Sequence, residues 1–387
     1  MTFRHIRVAA FISTVFLGLG VYLPFFPLLL SEKSFAPEEV AILVAVPIAA
    51  KLIATPAITA ALGRFKDRRK GAFVYCLAAA FSFLALSVSD GFLAALICLA
   101  VFGAFWNALI PVGDSFALYE VRNSSADYGH IRLWGSLAFI VANLLAGVVI
   151  ADLDATSGLL LIALLIFSAG ATARVLPPPI TSSDLTSTRT QAKPRISQDL
   201  RDPQFFCVAL VAGAIQSSHA MIYTFGSVHW QTLGFSTAEI GSFWAIGVVS
   251  EILLFLTAGF FLSRVPSVAL IVLGGAFAMV RWWLHPMTTD FVSILVLQLL
   301  HGITFGATHF GVQSFISRNR SDAATPGAQA AIVLVSGIFT VATTLVAGVL
   351  YREYAAGAFV FMAGLAGLGL LPLLMFFSPK VRDQADQ

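Results

Sequence analysis

The chain has 387 residues, of which 58% are hydrophobic and 11% charged, and its mean hydropathy is +0.88. A soluble domain carries about 25% charged residues, so this chain is too poor in charge to cover a water-facing surface and falls in the membrane class. The net charge of +3 excludes a broadly basic surface for nucleic acid, and Cys76, Cys98 and Cys207, each in an apolar run, have neither disulfide-framework nor metal-ligand spacing.

The chain opens MTFRHIRVAAFISTVFLGLGVYLPFFPLLL. This apolar run is too long for a signal peptide and has no clean cleavage site, so it reads as a retained membrane helix. A helix needs about 20 mostly apolar residues to cross a roughly 30 Å hydrocarbon core. Twelve runs qualify: 8–30, 38–61, 71–89, 92–118, 131–151, 156–176, 205–230, 236–262, 266–286, 290–317, 327–350 and 355–377. Barrel strands would be about ten residues long with alternating polarity, so helices are expected throughout. A polar interval, 177–203, rich in Pro, Ser and Thr, reads as a linker. It separates residues 1–176 from 204–387, giving an all-α membrane protein of two six-helix halves.

Basic residues predict the orientation. Of the 23 Lys and Arg, Lys51, Arg132 and Arg281 fall inside spans. With the N-terminus in the cytoplasm, only Lys33 and Arg352 lie outside, and the remaining eighteen are cytoplasmic. This positive-inside bias predicts that both termini are cytoplasmic, in a bacterial inner (plasma) membrane. The sequons at Asn123 and Asn319 then fall on the cytoplasmic side as chance matches.

A charged residue at the centre of a span costs roughly 2.5–3.5 kcal/mol on insertion scales, so each is a candidate functional residue. Lys51 lies in span 2, Asp114 in span 4, Arg132 in span 5, His219 in span 7, Glu251 in span 8, Arg281 in span 9, and His301 and His309 in span 10. Lys51, His219, Glu251 and His301 fall near mid-depth. Helical spacing places polar neighbours beside them: Gln298, Thr304 and Thr308 with His301, Gln216 and Tyr223 with His219, Thr55 and Thr59 with Lys51, Asn107 with Asp114, and Ser136 and Asn143 with Arg132. Polar faces in several spans predict a shared interior cavity suited to solute movement. Structural alternatives stand beside these readings. Asp114 and Arg132 can form one interhelical pair. His309 can bond a backbone carbonyl. Arg281, about five residues from the outer end of its span, can snorkel to water. Trp106, Trp230, Trp244, Trp282 and Trp283 read as packing or interface residues.

The segments DYGHIRLWGSLAFI (127–140), SSHAMIYTFGSVHWQTLGFSTAEIGSFWAIG (217–247), GVVSEILLF (247–255), MVRWW (279–283) and LQLLHGITFGATH (297–309) resemble the phenylpropionate permease family. That family is a branch of the major facilitator superfamily, related to oligosaccharide/proton symporters such as lactose permease. The resemblance implies twelve helices in two halves that rock around a midplane site. It implies proton-coupling roles for Glu251, Arg281 and His301, and sugar-permease-like binding positions at Asp114 and Arg132. The acid that the sugar permeases carry one turn after the histidine is Thr304 here, so their proton relay does not transfer whole. The loop GRFKDRRK (63–70) keeps Gly63, Asp67 and Arg68 of the superfamily's signature but lacks its later glycine, and implies a gating or topology role only.

These readings predict a secondary transporter rather than an enzyme, without metal or other cofactor. Its expected partners are a small-molecule substrate, protons and the lipid bilayer, with no nucleic acid, and a monomer is expected. The expected substrate is a small aromatic carboxylate such as 3-phenylpropionate, bound by Lys51, Asn107, Asp114, Arg132, His219 and His309. Glu251, Arg281 and His301 are expected to couple protons, with Glu251 as the carrier. The alternatives are a sugar or nucleoside symporter and an efflux carrier.

Overall fold

The computed structural model describes residues 3–62, 64–65, 67–89, 91–123, 127–178, 199–258, 260, 262–321 and 324–376. Most of the expected linker, Gly63 of the signature loop and the Ser124-Ser125 end of one sequon lie outside these residues. The first six helices are α1 (Phe3–Glu32), α2 (Pro37–Leu62), α3 (Arg68–Ser87), α4 (Phe92–Asn123), α5 (Tyr128–Ile150) and α6 (Ala155–Arg174). Span 7 is divided into α7 (Pro203–Ser217) and α8 (Ala220–Thr232), and α9 (Thr237–Ala258) and α10 (Ser267–Leu284) are spans 8 and 9. Span 10 consists of α11 (Phe291–Leu299), a π-helical segment (Gly302–Ala307) and α12 (Thr308–Asn319). The last two helices are α13 (Thr325–Tyr354) and α14 (Ala358–Phe376).

Eleven helical stretches among the described residues are long and apolar enough to cross a membrane. The last of them, Thr325–Leu373, contains both α13 and α14. These helices meet at a turn where Ala355 adopts φ +47°. Counted as two, they complete the twelve spans expected from hydropathy.

Acidic side chains mark many helix starts. Asp67, Asp127, Asp154, Asp202 and Asp290 each precede a helix and accept a hydrogen bond from a backbone N–H of its first turn. A cap of this kind satisfies a donor that the helix itself leaves unpaired. It therefore fixes where α3, α5, α6, α7 and α11 begin. These caps lie at span ends, whereas Asp114 and Glu251 lie well inside α4 and α9.

The chain forms two compact units, Met1–Ser187 with Thr224–Ala245, and Thr188–Tyr223 with Ile246–Gln387. In the first, α1 packs on α5 and α6, α2 on α4, and α3 on α4 and α6. Its core holds an aromatic cluster in which Tyr22 and Phe26 lie 4.9 Å apart, as do Phe83 and Phe102. In the second unit, α10 packs on α12 and α14, and α13 and α14 pack on α7.

The segment Thr224–Ala245 joins the first unit through a backbone-close contact with α5. Thr237 Oγ1 donates to the Gly147 carbonyl at 2.6 Å. A Cβ on Gly147 would meet the Thr237 carbonyl oxygen at 2.5 Å, and one on Gly241 would collide with the Asn143 carbonyl oxygen. Two glycines are needed because backbone faces backbone. Gly241→Ala is expected to destabilise the protein by about 1–3 kcal/mol through overpacking, seen as a lower melting temperature in detergent. Gly364→Ala, where an added Cβ meets nothing within 4 Å, is the control and should not lower it.

Candidate functional site

The second unit contains a buried polar cluster centred on Arg281. The side chain projects from α10 with no exposure to solvent. Nη2 donates to Gln298 Oε1 at 2.8 Å, and Nη1 donates to Thr304 Oγ1 at 3.1 Å and to His301 Nδ1 at 3.3 Å. The guanidinium also lies over the Trp282 ring, 4.6 Å from its centroid. Snorkelling is therefore not what Arg281 does: its hydrogen-bond partners come from span 10 and point inward.

The donor capacities of these groups fix their protonation geometry. A guanidinium has no acceptor, so His301 Nδ1 must be the accepting nitrogen. In the neutral ring the proton is then on Nε2, which faces Glu251 Oε2 at 3.6 Å. His219 is set the opposite way. Its Nδ1 lies 3.1 Å from the Ile215 carbonyl, which can only accept, so Nδ1 carries the proton. Its Nε2 accepts from Thr304 Oγ1 at 3.0 Å. Thr304 thus passes one hydrogen-bond direction from Arg281 to His219. A threonine fills the place where the resemblance expected an acid, and it bridges a cation to a neutral imidazole without adding charge.

Irregular backbone builds this cluster. Between α7 and α8 the helix breaks at Ser218 and His219, where His219 N–H bonds the Gln216 carbonyl instead of that of Ile215. The released Ile215 carbonyl accepts from His219 Nδ1 and from Ser218 Oγ. Ser218 Oγ in turn accepts from Trp282 Nε1 at 2.9 Å, tying the break to α10. In span 10, the Gly302 N–H donates to Ser250 Oγ of α9 at 2.9 Å. A Cβ on Gly302 would meet the Ser250 carbonyl oxygen at 2.7 Å. The amide is drawn out of its own helix where glycine lets α9 approach, and the π segment follows. Such bulges often mark functional sites. Tyr223 stacks on His219, with ring centroids 6.0 Å apart, and lies within electrostatic reach of Glu251.

Asp114, Arg132, Lys51 and Asn107 belong to the first unit. Asp114 and Arg132 are neighbours, with Arg132 Nε 3.8 Å from Asp114 Oδ1 and both side chains 30% exposed. Tyr128 donates its hydroxyl to the same Oδ1 at 3.0 Å. The Arg132 guanidinium lies over Phe16 of α1, 4.1 Å from the ring centroid. Lys51 is exposed and makes no hydrogen bond or ion pair with another described residue. Asn107 Nδ2 donates to the Pro47 and Gly103 carbonyls, clamping α4 to α2 one turn before Lys51. This occupies both amide N–H groups and leaves Oδ1 as its remaining polar atom.

The structure therefore groups the expected residues differently from the sequence. Glu251, Arg281 and His301 come together, and His219, expected on the substrate side, joins them. His309 does not enter the Arg281 cluster. It is exposed, with its ring 6.2 Å from that of Phe255 and 6.3 Å from that of Phe305, and among the described residues no backbone carbonyl receives it. Thr308 bonds its own helix at the Thr304 carbonyl. Sequence reading missed Tyr128, Phe16, Ser218 and Ser250. Tyr128 was findable, since it stands four residues before Arg132, on one helix face. Ser218 and Ser250 act at irregularities in helices that hydropathy reads as continuous, and Phe16 belongs to a different helix from the arginine it stacks on.

Residues 5–363 match the profile of the MFS_1 like family, within the major facilitator superfamily. The chain belongs to that family. It is 29% identical over 376 residues to a "Probable 3-phenylpropionic acid transporter" of Escherichia coli strain K12, covering 95% of each chain. It is 24% identical over 309 residues to an "Uncharacterized transporter YwbF" of Bacillus subtilis strain 168, covering 78% of this chain and 75% of that one. Among solved structures, the fold matches that of the nucleoside transporter NupG (D323A mutant) with TM-score 0.86 and 14% identity, covering 96% and 99% of the two chains. It also matches a bacterial homologue of the human lysosomal transporter Spinster, with TM-score 0.71 and 11% identity over 96% and 95%. The protein is a multi-pass membrane transporter of the major facilitator fold, not an enzyme.

The Arg281 cluster makes a specific stability prediction. Thr304→Val keeps the shape but leaves a guanidinium N–H and an imidazole nitrogen unpaired, which should cost about 1–3 kcal/mol. Thermal unfolding should show a clear loss for Thr304→Val and near recovery for Thr304→Ser. Equal melting of Thr304→Val and the unaltered protein would mean that the hydroxyl does not bridge.

Proposed function

We propose that this transporter is a proton-coupled symporter of a small aromatic carboxylate resembling 3-phenylpropionate. It acts as a monomer by alternating access in the bacterial inner membrane, with both termini in the cytoplasm. The observation that carries the substrate reading is Lys51: a cation 14 residues after Pro37, the first residue of α2, without a hydrogen bond or ion pair to any other described residue. A cation inside a membrane span is costly unless something compensates it. An arriving carboxylate would form a charge-assisted bond with it. Arg132, only loosely paired with Asp114, offers a second cation in the same unit. The name of the E. coli relative points to the same ligand chemistry, a ring joined to a carboxylic acid.

Proton coupling rests on Glu251. It faces His301, whose other nitrogen is bound by Arg281. Burial disfavours an ionised carboxylate and a nearby cation favours it. A small rearrangement of Glu251 relative to the imidazole and the guanidinium would change that balance and load or release a proton. His301 is suited to orienting and relaying, because its Nδ1 is already committed to a cation.

A sugar or nucleoside substrate is the rival reading, favoured by one feature: a half-exposed carboxylate, Asp114, beside an arginine, a pairing able to bind hydroxyls. An efflux direction uses the same residues, since gradients set direction. Binding of 3-phenylpropionate, its amide, a disaccharide and a nucleoside to the purified protein separates the substrates. The acid should bind more tightly than the amide in the unaltered protein, and Lys51→Met should abolish that preference. Tight binding of the sugar or nucleoside with no response to the acid would overturn the carboxylate reading. In proteoliposomes, Glu251→Gln should lose uphill accumulation driven by a proton gradient while retaining exchange. Normal accumulation by that variant would remove Glu251 from the coupling step.

A further inference from the structure

We propose that Tyr128 determines carboxylate specificity by holding Asp114 away from Arg132, so that the guanidinium stays open to the substrate. This deepens the carboxylate reading above and rests on it.

The starting observation is an internal comparison. Arg4 bonds Glu120 at 2.8–3.1 Å, Arg69 bonds Asp67 at 2.8–3.1 Å, and Arg320 bonds Asp199 at 2.9 Å and Asp202 at 2.7 Å. All are hydrogen-bond lengths. Arg132 and Asp114 stop at 3.8 Å, beyond hydrogen-bond length. The Asp114 oxygen nearest the guanidinium is already taken by the Tyr128 hydroxyl at 3.0 Å. The same hydroxyl faces Arg132. Tyr128 and Arg132 are four residues apart on the first two turns of α5, so one helix face presents both to Asp114 of α4.

The guanidinium is held in place by other means. Its face lies on the Phe16 ring, and on the α5 side it fits the space left by Gly135, where an added Cβ would stand 3.0 Å from Arg132 Nη1. Ring stacking uses the face of a guanidinium and leaves the N–H groups at its edge available. Phe16, Gly135 and Tyr128 together give an arginine that is oriented without being neutralised by a closed ion pair. A planar carboxylate is the ligand whose geometry matches such an edge, through two parallel N–H···O bonds. Without the Tyr128 hydroxyl, the Asp114 carboxylate is free to close on Arg132 and compete with the substrate for the same donors.

The test measures binding of 3-phenylpropionate and 3-phenylpropionamide to the purified full-length protein, with melting temperature as the folding check. Tyr128→Phe should weaken acid binding by about tenfold, the scale of one charge-assisted hydrogen bond, and leave amide binding unchanged. In Tyr128→Phe/Asp114→Asn the competing carboxylate is gone, and acid affinity should return to that of Asp114→Asn alone. Asp114→Glu, whose longer side chain reaches past the hydroxyl, should reproduce the loss and serves if Tyr128→Phe does not fold. Unchanged acid affinity in Tyr128→Phe overturns the inference. So does a double variant that stays weak, because the hydroxyl would then contact the ligand itself. Equal binding of acid and amide by the unaltered protein would overturn the carboxylate reading, and this inference with it. A preserved acid preference that Tyr128→Phe does not disturb would overturn this inference alone.

Discussion

A guanidinium closed off from solvent is the constraint around which the second unit is built. Transferring an isolated charge into a low-dielectric interior costs several kcal/mol even after relaxation. Arg281 is accommodated there by three hydrogen bonds, to Gln298, Thr304 and His301, and by the face of Trp282. None of these partners is a carboxylate. Glu251 is reached through the His301 ring, whose far nitrogen lies 3.6 Å from it. The positive charge is thus solvated by neutral groups and coupled to a negative one at one remove. Opposite charges in direct contact would hold each other ionised. In the proposed coupling, an imidazole between them would let the carboxylate change state.

The backbone irregularities follow from the same constraint. An unbroken span 7 would use the Ile215 carbonyl in its own helix and give His219 Nδ1 no fixed acceptor. The break supplies that acceptor, and Ser218 ties the joint to Trp282, next to Arg281. The π segment of span 10 begins beside His301 and includes Thr304, two of the groups that receive the guanidinium. Helix breaks and turns with fully bonded backbone groups are tolerated at membrane depth where protein surrounds them. Local departures from ideal helices are therefore how the chain solvates one buried cation.

Most of the architecture was legible because hydropathy needs only composition: the twelve expected runs correspond to helices whose ends differ by a few residues. The side-chain faces were legible too, since Gln298, His301 and Thr304 follow helical spacing. The breaks were hidden. Ser218-His219 contains neither proline nor glycine, and Gly302 resembles the many other glycines of a membrane chain until α9 is seen against it. Arg281 was misleading in sequence, because its nearness to the outer end of span 9 suggested snorkelling, whereas its inward partners come from another helix. The resemblance named Glu251, Arg281 and His301 but could not say what replaced the missing acid. Only the geometry shows Thr304 as a neutral bridge, and only the distances reveal that Asp114 and Arg132 form a loose pair with Tyr128 between them.

The two units therefore treat their charges differently. In the first, Lys51 bonds no other described residue and Arg132 approaches Asp114 only to 3.8 Å, which is what the proposed anionic ligand would use. In the second, the Arg281 Nη1 and Nη2 groups are bonded by neutral protein groups, and Glu251 is the proposed proton carrier. Infrared difference spectroscopy of the lipid-reconstituted protein during a pH titration tests the division most directly, by following the carboxylic-acid C=O band. If Glu251 carries the transported proton, that band should change with pH and with substrate, vanish in Glu251→Gln, and persist in Asp114→Asn. A band that survives Glu251→Gln or disappears in Asp114→Asn would contradict the assignment and move the proton to the other unit.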